Sequence, residues 1–225
     1  MLWRLRCGAV QVNPVARVWR TSSTWSTMPF VTSSIDGVLV AISDRVKKAL
    51  IDFTTGEYDN ALIQINIAID ASGGKSFPAE RNSGTRSKLI LSRNEPFILW
   101  FASGGRIHSR KAGQLLIPST HAGSEMSDWL YGIIRCGLLH EADISSQVKF
   151  TEAYSFGRPN DKYLVSTHLM AALALVIVGE EANSDESFRE DVVLEIGGNG
   201  VELERFWGRK QALWDACSEA FRTTR

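Results

Sequence analysis

The chain has 225 residues, of which 44% are hydrophobic, so it can bury one sizeable core and is most simply a single domain. Its 25 basic and 25 acidic residues give a formal net charge of zero. This balance excludes binding to nucleic acid through overall charge, so RNA contact would depend on a local basic patch. No apolar run reaches the roughly 20 residues that cross a bilayer, and no membrane partner is expected.

Residues 1–30 differ in composition from the rest of the chain. They contain several arginines, many serines and threonines and three tryptophans, and the first acidic residue is Asp36. We expect a disordered leader or an over-extended start, with Met28 as the natural beginning and residues 31–225 as one domain. A transit peptide is the alternative, because such peptides are also rich in arginine and serine and poor in acids.

The first two predicted elements are helices over residues 35–53 and 58–70, where apolar residues recur at steps of three and four. The short link between them predicts that they pack as an antiparallel hairpin. The pair Gly73-Gly74, followed by Pro78, is expected to end the second helix, and residues 79–87 are expected to be a polar loop.

A third helix is predicted over residues 89–102, with Asn94 as a cap, Pro96 in the first turn and a glycine pair closing its end. Residues 115–117 suggest a short strand. Ser124 then caps another predicted helix, whose apolar stripe is formed by Trp129, Leu130, Ile133, Ile134, Gly137 and Leu138.

Strands are predicted over residues 148–154 and 192–196, the second closed by a glycine-rich turn. Residues 164–178 predict a buried helix, although the β-branched residues 176–178 leave a strand open. The last predicted element is one amphipathic helix, whose apolar face contains Leu203, Phe206, Trp207, Leu213, Trp214, Cys217 and Phe221.

Metal sites and disulfides are not predicted. The three cysteines are widely spaced and form no Cys-x-x-Cys pair, so we expect packed or free thiols in a reducing, cytoplasmic compartment. Three of the histidines show no metal-ligand spacing with one another or with cysteine: His108, His121 and His168. No cofactor is expected.

The sequence Arg-Cys-Gly-Leu-Leu-His places Arg135 and His140 five residues apart at the end of the helix that Ser124 begins. Arginine offers a planar fork of donors for phosphate oxygens, and histidine exchanges protons near neutral pH, so the pair suits phosphodiester chemistry. At about 100° per residue the two side chains diverge by roughly 140° on an ideal helix. Convergence on one phosphate would need the reach of arginine, a break near Gly137, or a second subunit.

Residues 128–143 (DWLYGIIRCGLLHEAD), together with residues 67–78 (IAIDASGGKSFP), resemble the HEPN superfamily, whose hallmark is arginine, four to six residues, then histidine. The resemblance implies a mainly α, HEPN-like helical bundle with a small β excursion after the motif helix. It also implies a homodimer with two motifs lining one cleft. Active members cut RNA without a metal, in a toxin–antitoxin or antiphage setting, so an antitoxin or a nucleotidyltransferase is an expected partner.

If the motif is catalytic, His140 acts as general base on a ribose 2′-hydroxyl or as general acid on the leaving oxygen, and Arg135 stabilises charge on the phosphate. Asp70 closes the second predicted helix and would orient His140. Tyr131 precedes Arg135 by four residues, hence lies on the same side of a helix, and would contact a base or a phosphate.

A structural interpretation of the same residues stays open. Arg135 would then pair with a nearby acid, namely Asp128, Glu141 or Asp143, and His140 would flank the core. Asp70 would be a solvated helix end and Tyr131 a packing residue. The corresponding functions are a catalytically silent module that binds a partner protein, or a helical nucleotide-binding domain without chemistry.

Overall fold

The computed structural model describes residues 3–7, 41–106, 127–128, 130–132, 148–152 and 163–223. This part of the chain is mainly helical, as predicted. Its longer helices are α1 (Ile42–Thr54), α2 (Tyr58–Ser76), α3 (Ser83–Ala102), α4 (Thr167–Gly179) and α5 (Lys210–Arg222).

Two small sheets accompany the helices. The parallel pair β2 (Val148–Thr151) and β3 (Tyr163–Ser166) follows the motif in the sequence, where a small β excursion was expected. The second sheet is antiparallel in the order β1-β4-β5, formed by β1 (Trp3–Cys7), β4 (Val192–Ile196) and β5 (Asn199–Glu202). β4 and β5 form a hairpin around Gly197 and Gly198, which have φ values of +60° and +90° as a two-residue hairpin turn requires.

α4 is the centre of the core. Every residue of this helix is buried, and it packs against α1, α2, α3 and α5. Its side chains are almost all apolar, so it can be surrounded on all sides without leaving polar groups unpaired. The prediction of a buried helix is therefore confirmed for residues 167–178, and the strand alternative for residues 176–178 is wrong. Residues 164–166, predicted to begin this helix, belong instead to β3. Among the described helices, none is long and apolar enough to cross a membrane.

The predicted pair of helices α1 and α2 is confirmed, but α2 continues through the two glycines expected to end it. A Cβ atom on Gly73 would lie 2.9 Å from Cβ of Arg86 and 3.2 Å from its backbone carbon. Gly73 therefore allows α2 and α3 to approach closely, which is a different use of glycine from ending a helix. The helix ends at Ser76, two residues before Pro78.

α3 begins within the segment predicted to be a polar loop. Asn82 caps it, because its side-chain oxygen accepts a hydrogen bond of 3.1 Å from the backbone N–H of Thr85. Asn94, which was expected to be the cap, is inside the helix and buried, and its side chain donates to the carbonyl oxygen of Ile90 at 2.9 Å. Pro96 also lies inside the helix rather than in its first turn.

The last predicted helix is two elements. A 3-10 turn, Leu203–Phe206, precedes α5, and Gly208 between them has a φ of +72°. The backbone N–H of Gly208 donates to the carbonyl oxygen of Val178 at 2.9 Å, so the residue that separates the two elements is hydrogen-bonded to the end of α4. The apolar periodicity misses the break because both elements present apolar side chains to the same core.

The strand β1 lies within the segment expected to be a disordered leader. Its five residues pair in antiparallel register with β4, from Trp3 opposite Ile196 to Cys7 opposite Val192. The alternation Trp-Arg-Leu-Arg-Cys has the period of two that is typical of a strand. Residues 8–40 lie outside the described part of the chain, so the expectation of a leader remains a prediction for residues 8–30.

Candidate functional site

The helix predicted to lead into the Arg/His motif is described in part. Residues 127–128 and 130–132 are helical, as predicted from the Ser124 cap, and Leu130 of the predicted apolar stripe is buried in the core. Arg135 and His140 lie outside the described residues, as do Glu141 and Asp143. Their proposed roles therefore rest on the sequence.

Tyr131 lies against the first half of α3. A Cβ atom on Gly84 would lie 2.5 Å from the Tyr131 hydroxyl oxygen, so a glycine at this position lets the ring approach the helix. The ammonium group of Lys88, one turn further along α3, is 5.3 Å from the centroid of the same ring. This distance is within the range of a cation–π contact, which is worth about 0.5–1 kcal/mol at an exposed site.

Asp128 pairs with the same lysine. Its Oδ1 atom is 2.7 Å from Nζ of Lys88, and the side chains are 44% and 42% exposed. An ion pair this exposed contributes only about 0–1 kcal/mol to stability. One of the three acids considered as partners of Arg135 thus has a cationic partner on α3.

Asp70 contacts a different side of α3. Its Oδ1 atom accepts a hydrogen bond of 3.2 Å from Nη2 of Arg86, whose Nη1 donates to the backbone oxygen of Glu80 at 3.4 Å. Arg86 is two residues from both Gly84 and Lys88, hence about 200° around the helix from them. Asp70 and Tyr131, the two predicted supporting residues, are therefore positioned by opposite sides of α3.

A buried polar cluster that the sequence analysis did not identify is centred on Glu180, which follows α4 and is only 5% exposed. Its carboxylate is paired with the guanidinium of Arg93 and accepts hydrogen bonds from Oγ of Ser76 at 3.0 Å and from Nδ2 of Asn94 at 3.4 Å. These partners come from α2 and α3. Glu180 therefore joins three helices, and its carboxylate is occupied by intramolecular partners.

The segment after Glu180 also fastens helices together. The side chain of buried Asn183 donates to Oγ of Ser72 and to the carbonyl oxygen of Ile177, both at 2.8 Å. Lys75 of α2 lies 2.8 Å from a carboxylate oxygen of Asp185 and 2.8 Å from one of Glu186. Residues 180–186 thus connect α2 to the end of α4, and their polar groups support the fold rather than form an open site.

Burial and hydrogen bonding act in opposite directions on Glu186. Burial raises the pKa of this carboxyl, but hydrogen bonds from Lys75 and from the backbone N–H of Ser43 outweigh burial and lower the pKa below its usual value. Because the folded-state pKa of Glu186 is lowered, the ionised carboxylate stabilises the fold at neutral pH. This stabilisation is lost as the pH falls through the folded-state pKa.

Among the side chains that the structure describes, there is neither a metal site nor a reactive thiol. No group of three His, Cys, Asp or Glu residues there could hold a metal ion. Cys217 is a buried free thiol, as predicted for a packed cysteine, and burial raises its pKa to about 12. Such a thiol is protonated at neutral pH and is a poor nucleophile.

We expect Glu180→Ala to lower the free energy of unfolding by about 2–4 kcal/mol. The substitution removes the buried carboxylate that pairs with Arg93 and accepts hydrogen bonds from α2 and α3. The matched control is Glu190→Ala, since Glu190 pairs with Lys47 at 2.9 Å but is 58% exposed. The control should change stability by less than about 0.5 kcal/mol. Urea unfolding of both variants measures the difference, and equal small effects would show that the Glu180 cluster does not stabilise the fold.

Comparison with known proteins identifies a family. The chain belongs to the Rv1289 family, whose model matches residues 41–224. The name of this family states no activity. No curated protein and no solved structure showed significant similarity to the chain, so a functional proposal depends on the residues of this chain.

Proposed function

We propose that this member of the Rv1289 family is a metal-independent endoribonuclease of the HEPN type, acting in a toxin–antitoxin or antiphage setting. The observation that carries the proposal is the pair Arg135 and His140 within residues 128–143. The mainly helical fold and the short β excursion after the motif are consistent with it. The helical residues at the start of this segment also pack on the bundle through Leu130 and Tyr131.

The proposed reaction is an internal transesterification. His140 accepts the proton of a ribose 2′-hydroxyl, and the resulting oxygen attacks the adjacent phosphorus. The bond from phosphorus to the 5′-oxygen breaks, and that oxygen takes up a proton, which leaves a 2′,3′-cyclic phosphate and a 5′-hydroxyl. Arg135 stabilises the additional negative charge on the five-coordinate phosphate through two parallel N–H donors.

The proposal includes a homodimer, because the two motif side chains diverge by roughly 140° on one ideal helix and a second copy supplies the missing partner. We expect light scattering to give about twice the 24.9 kDa chain mass at micromolar concentration. A monomer under the same conditions would remove the composite site. In that case, Arg135 and His140 of one chain would have to converge by themselves.

The experiment that tests the activity compares RNA and DNA in the presence of EDTA. Purified protein should cut RNA without added metal and should leave DNA of the same sequence intact, since DNA lacks the 2′-hydroxyl nucleophile. Cleavage of both polymers, or cleavage of RNA only after a divalent metal is restored, would contradict the proposed chemistry.

A second candidate function is a catalytically silent HEPN-like module that binds a partner protein, such as an antitoxin or a nucleotidyltransferase. The observation in its favour is that two acids considered for the site, Asp128 and Asp70, make intramolecular ion pairs with Lys88 and Arg86. This is the result expected of a structural bundle. Absence of cleavage over a varied set of RNAs would support this function over the first.

A further inference from the structure

We propose that α3 carries a seat for the segment that leads into the Arg/His motif, formed by Gly84 and Lys88 on α3 and by Asp128 and Tyr131 on the segment. We call these four residues the α3 seat. The inference rests on the proposed function, because the segment that is seated carries Arg135 and His140. It deepens that function by assigning positioning residues, which act through the motif. Tyr131, expected from the sequence to contact a base or a phosphate, is here assigned to positioning because its ring lies against Gly84 and Lys88.

The use of glycine at position 84 is the first support. Gly84 is the second residue of α3 and its φ is not positive, so the backbone conformation does not require glycine there. What its neighbourhood does require is space, since a Cβ would lie 2.5 Å from the Tyr131 hydroxyl oxygen, 3.1 Å from Cζ of the ring and 3.2 Å from Oδ1 of Asn82, which caps the same helix. Gly74 of α2 differs, because the nearest atom to its Cβ would be 4.0 Å away.

The position of Lys88 is the second support. Gly84 and Lys88 are four residues apart on α3, and Asp128 and Tyr131 are three apart, so each pair lies on one face of its helix. Lys88 bridges the second pair, with its ammonium 2.7 Å from the carboxylate and 5.3 Å from the ring centroid. The later residue of the segment, Tyr131, contacts the earlier residue of α3, Gly84.

The energetics of the seat favour positioning over overall stability. Lys88 and Asp128 are both more than 40% exposed, and ion pairs of this kind contribute little to global folding. Core side chains such as Leu130 hold the segment on the bundle. The seat instead sets the register and rotation of the segment, and misplacement of a catalytic group by about 1 Å can reduce turnover by about a hundredfold.

The test uses Gly84→Ala and Lys88→Met in the full chain. Gly84→Ala obliges the end of the Tyr131 side chain to move, while alanine remains a good helix former. Lys88→Met removes the cation but keeps the length of the side chain.

The rescue variants are Lys88→Arg, which restores the cation, and Gly84→Ala combined with Tyr131→Phe, which removes the hydroxyl that the new Cβ meets. The matched controls are Gly74→Ala and Lys47→Met, the latter at an ion pair on α1.

Hydrogen exchange of residues 127–140 is the first measurement. We expect exchange there to be about tenfold faster in Gly84→Ala and Lys88→Met, slower again in the two rescue variants, and unchanged in the controls. The second measurement is RNA cleavage. The same two variants should lower kcat by about tenfold or more while KM changes by less than about twofold, because positioning affects turnover rather than binding.

The two measurements separate the seat from the proposed function. If exchange of residues 127–140 is unchanged in both Gly84→Ala and Lys88→Met, the seat is overturned. If exchange changes as expected but the wild-type protein cuts no RNA, the seat stands as a structural device and the ribonuclease proposal fails. If exchange changes and kcat does not, the seat does not position the catalytic groups.

Discussion

His140→Ala is expected to reduce RNA cleavage by about a hundredfold or more, the usual scale for the loss of a general acid or base. Without the imidazole, no side chain of the motif can take the proton from the 2′-hydroxyl near neutral pH. The melting temperature should stay close to that of the wild type. A large fall in melting temperature would indicate instead that His140 holds the bundle together.

Arg135→Lys should be nearly as damaging to cleavage, because a single ammonium cannot reproduce the two parallel donors of the guanidinium. The matched control is Arg205→Lys, at an exposed arginine that pairs with Glu202 at 2.6 Å and lies 70 residues after Arg135 in the sequence. The control should keep full activity. If Arg135→Lys or His140→Ala cuts RNA as fast as the wild type, the assignment of the site is contradicted.

The second large effect is expected at Gly208. We expect Gly208→Ala to lower the free energy of unfolding by about 2–4 kcal/mol, because a left-handed conformation costs a residue with a Cβ about 1–2 kcal/mol and steric overlap adds to it. A Cβ on Gly208 would lie 2.5 Å from Cβ of Ser184 and 2.8 Å from its Cα, and the Cα cannot move as a flexible side chain can.

The sign of this effect tests the break between the 3-10 turn and α5. If residues 203–221 formed one continuous helix, Gly208→Ala would raise stability by about 0.5–1 kcal/mol, since alanine is the better helix former. Gly74→Ala is the matched control, because Gly74 lies inside α2 with space for a methyl group. Its free energy of unfolding should rise by about 0.5–1 kcal/mol. Urea unfolding of the two variants should therefore give changes of opposite sign.

The parts of the fold that could be predicted are those in which the residues of the local apolar pattern also form the core. The helical period of residues 42–53, the apolar run of α4 and the strand Val192–Ile196 were all confirmed. In each case, the side chains that form the pattern are the ones that the structure buries. Local sequence and tertiary packing agree at these elements.

The wrong predictions concern residues whose structural role is set by a contact with a residue distant in the sequence. Gly73 was taken as a helix end because its local context is a glycine pair, whereas its role is set by Arg86 on another helix. Gly208 is the opposite error. It interrupts a segment that the apolar periodicity predicted to be one continuous helix. Ser184, whose backbone it contacts, is distant in the sequence. Tertiary contacts of this kind leave no local signal.

The same reason applies to the candidate sites. Glu180 meets Ser76, Arg93 and Asn94 only because three helices converge, and nothing in their spacing indicates the cluster. The pairing of Asp70 with Arg86 follows from the contact between α2 and α3. The roles of Arg135 and His140, by contrast, are predictions from residue type and resemblance.

Mass spectrometry of the cleavage products is the most direct test of the central claim, because the end groups identify the nucleophile. RNA treated with wild-type protein in EDTA should carry 2′,3′-cyclic phosphate at the new 3′ ends and hydroxyl at the new 5′ ends, and the same RNA with every 2′-hydroxyl methylated should remain intact. Products with 5′-phosphate and 3′-hydroxyl ends, cleavage of the methylated RNA, or no cleavage at all would contradict the proposed function.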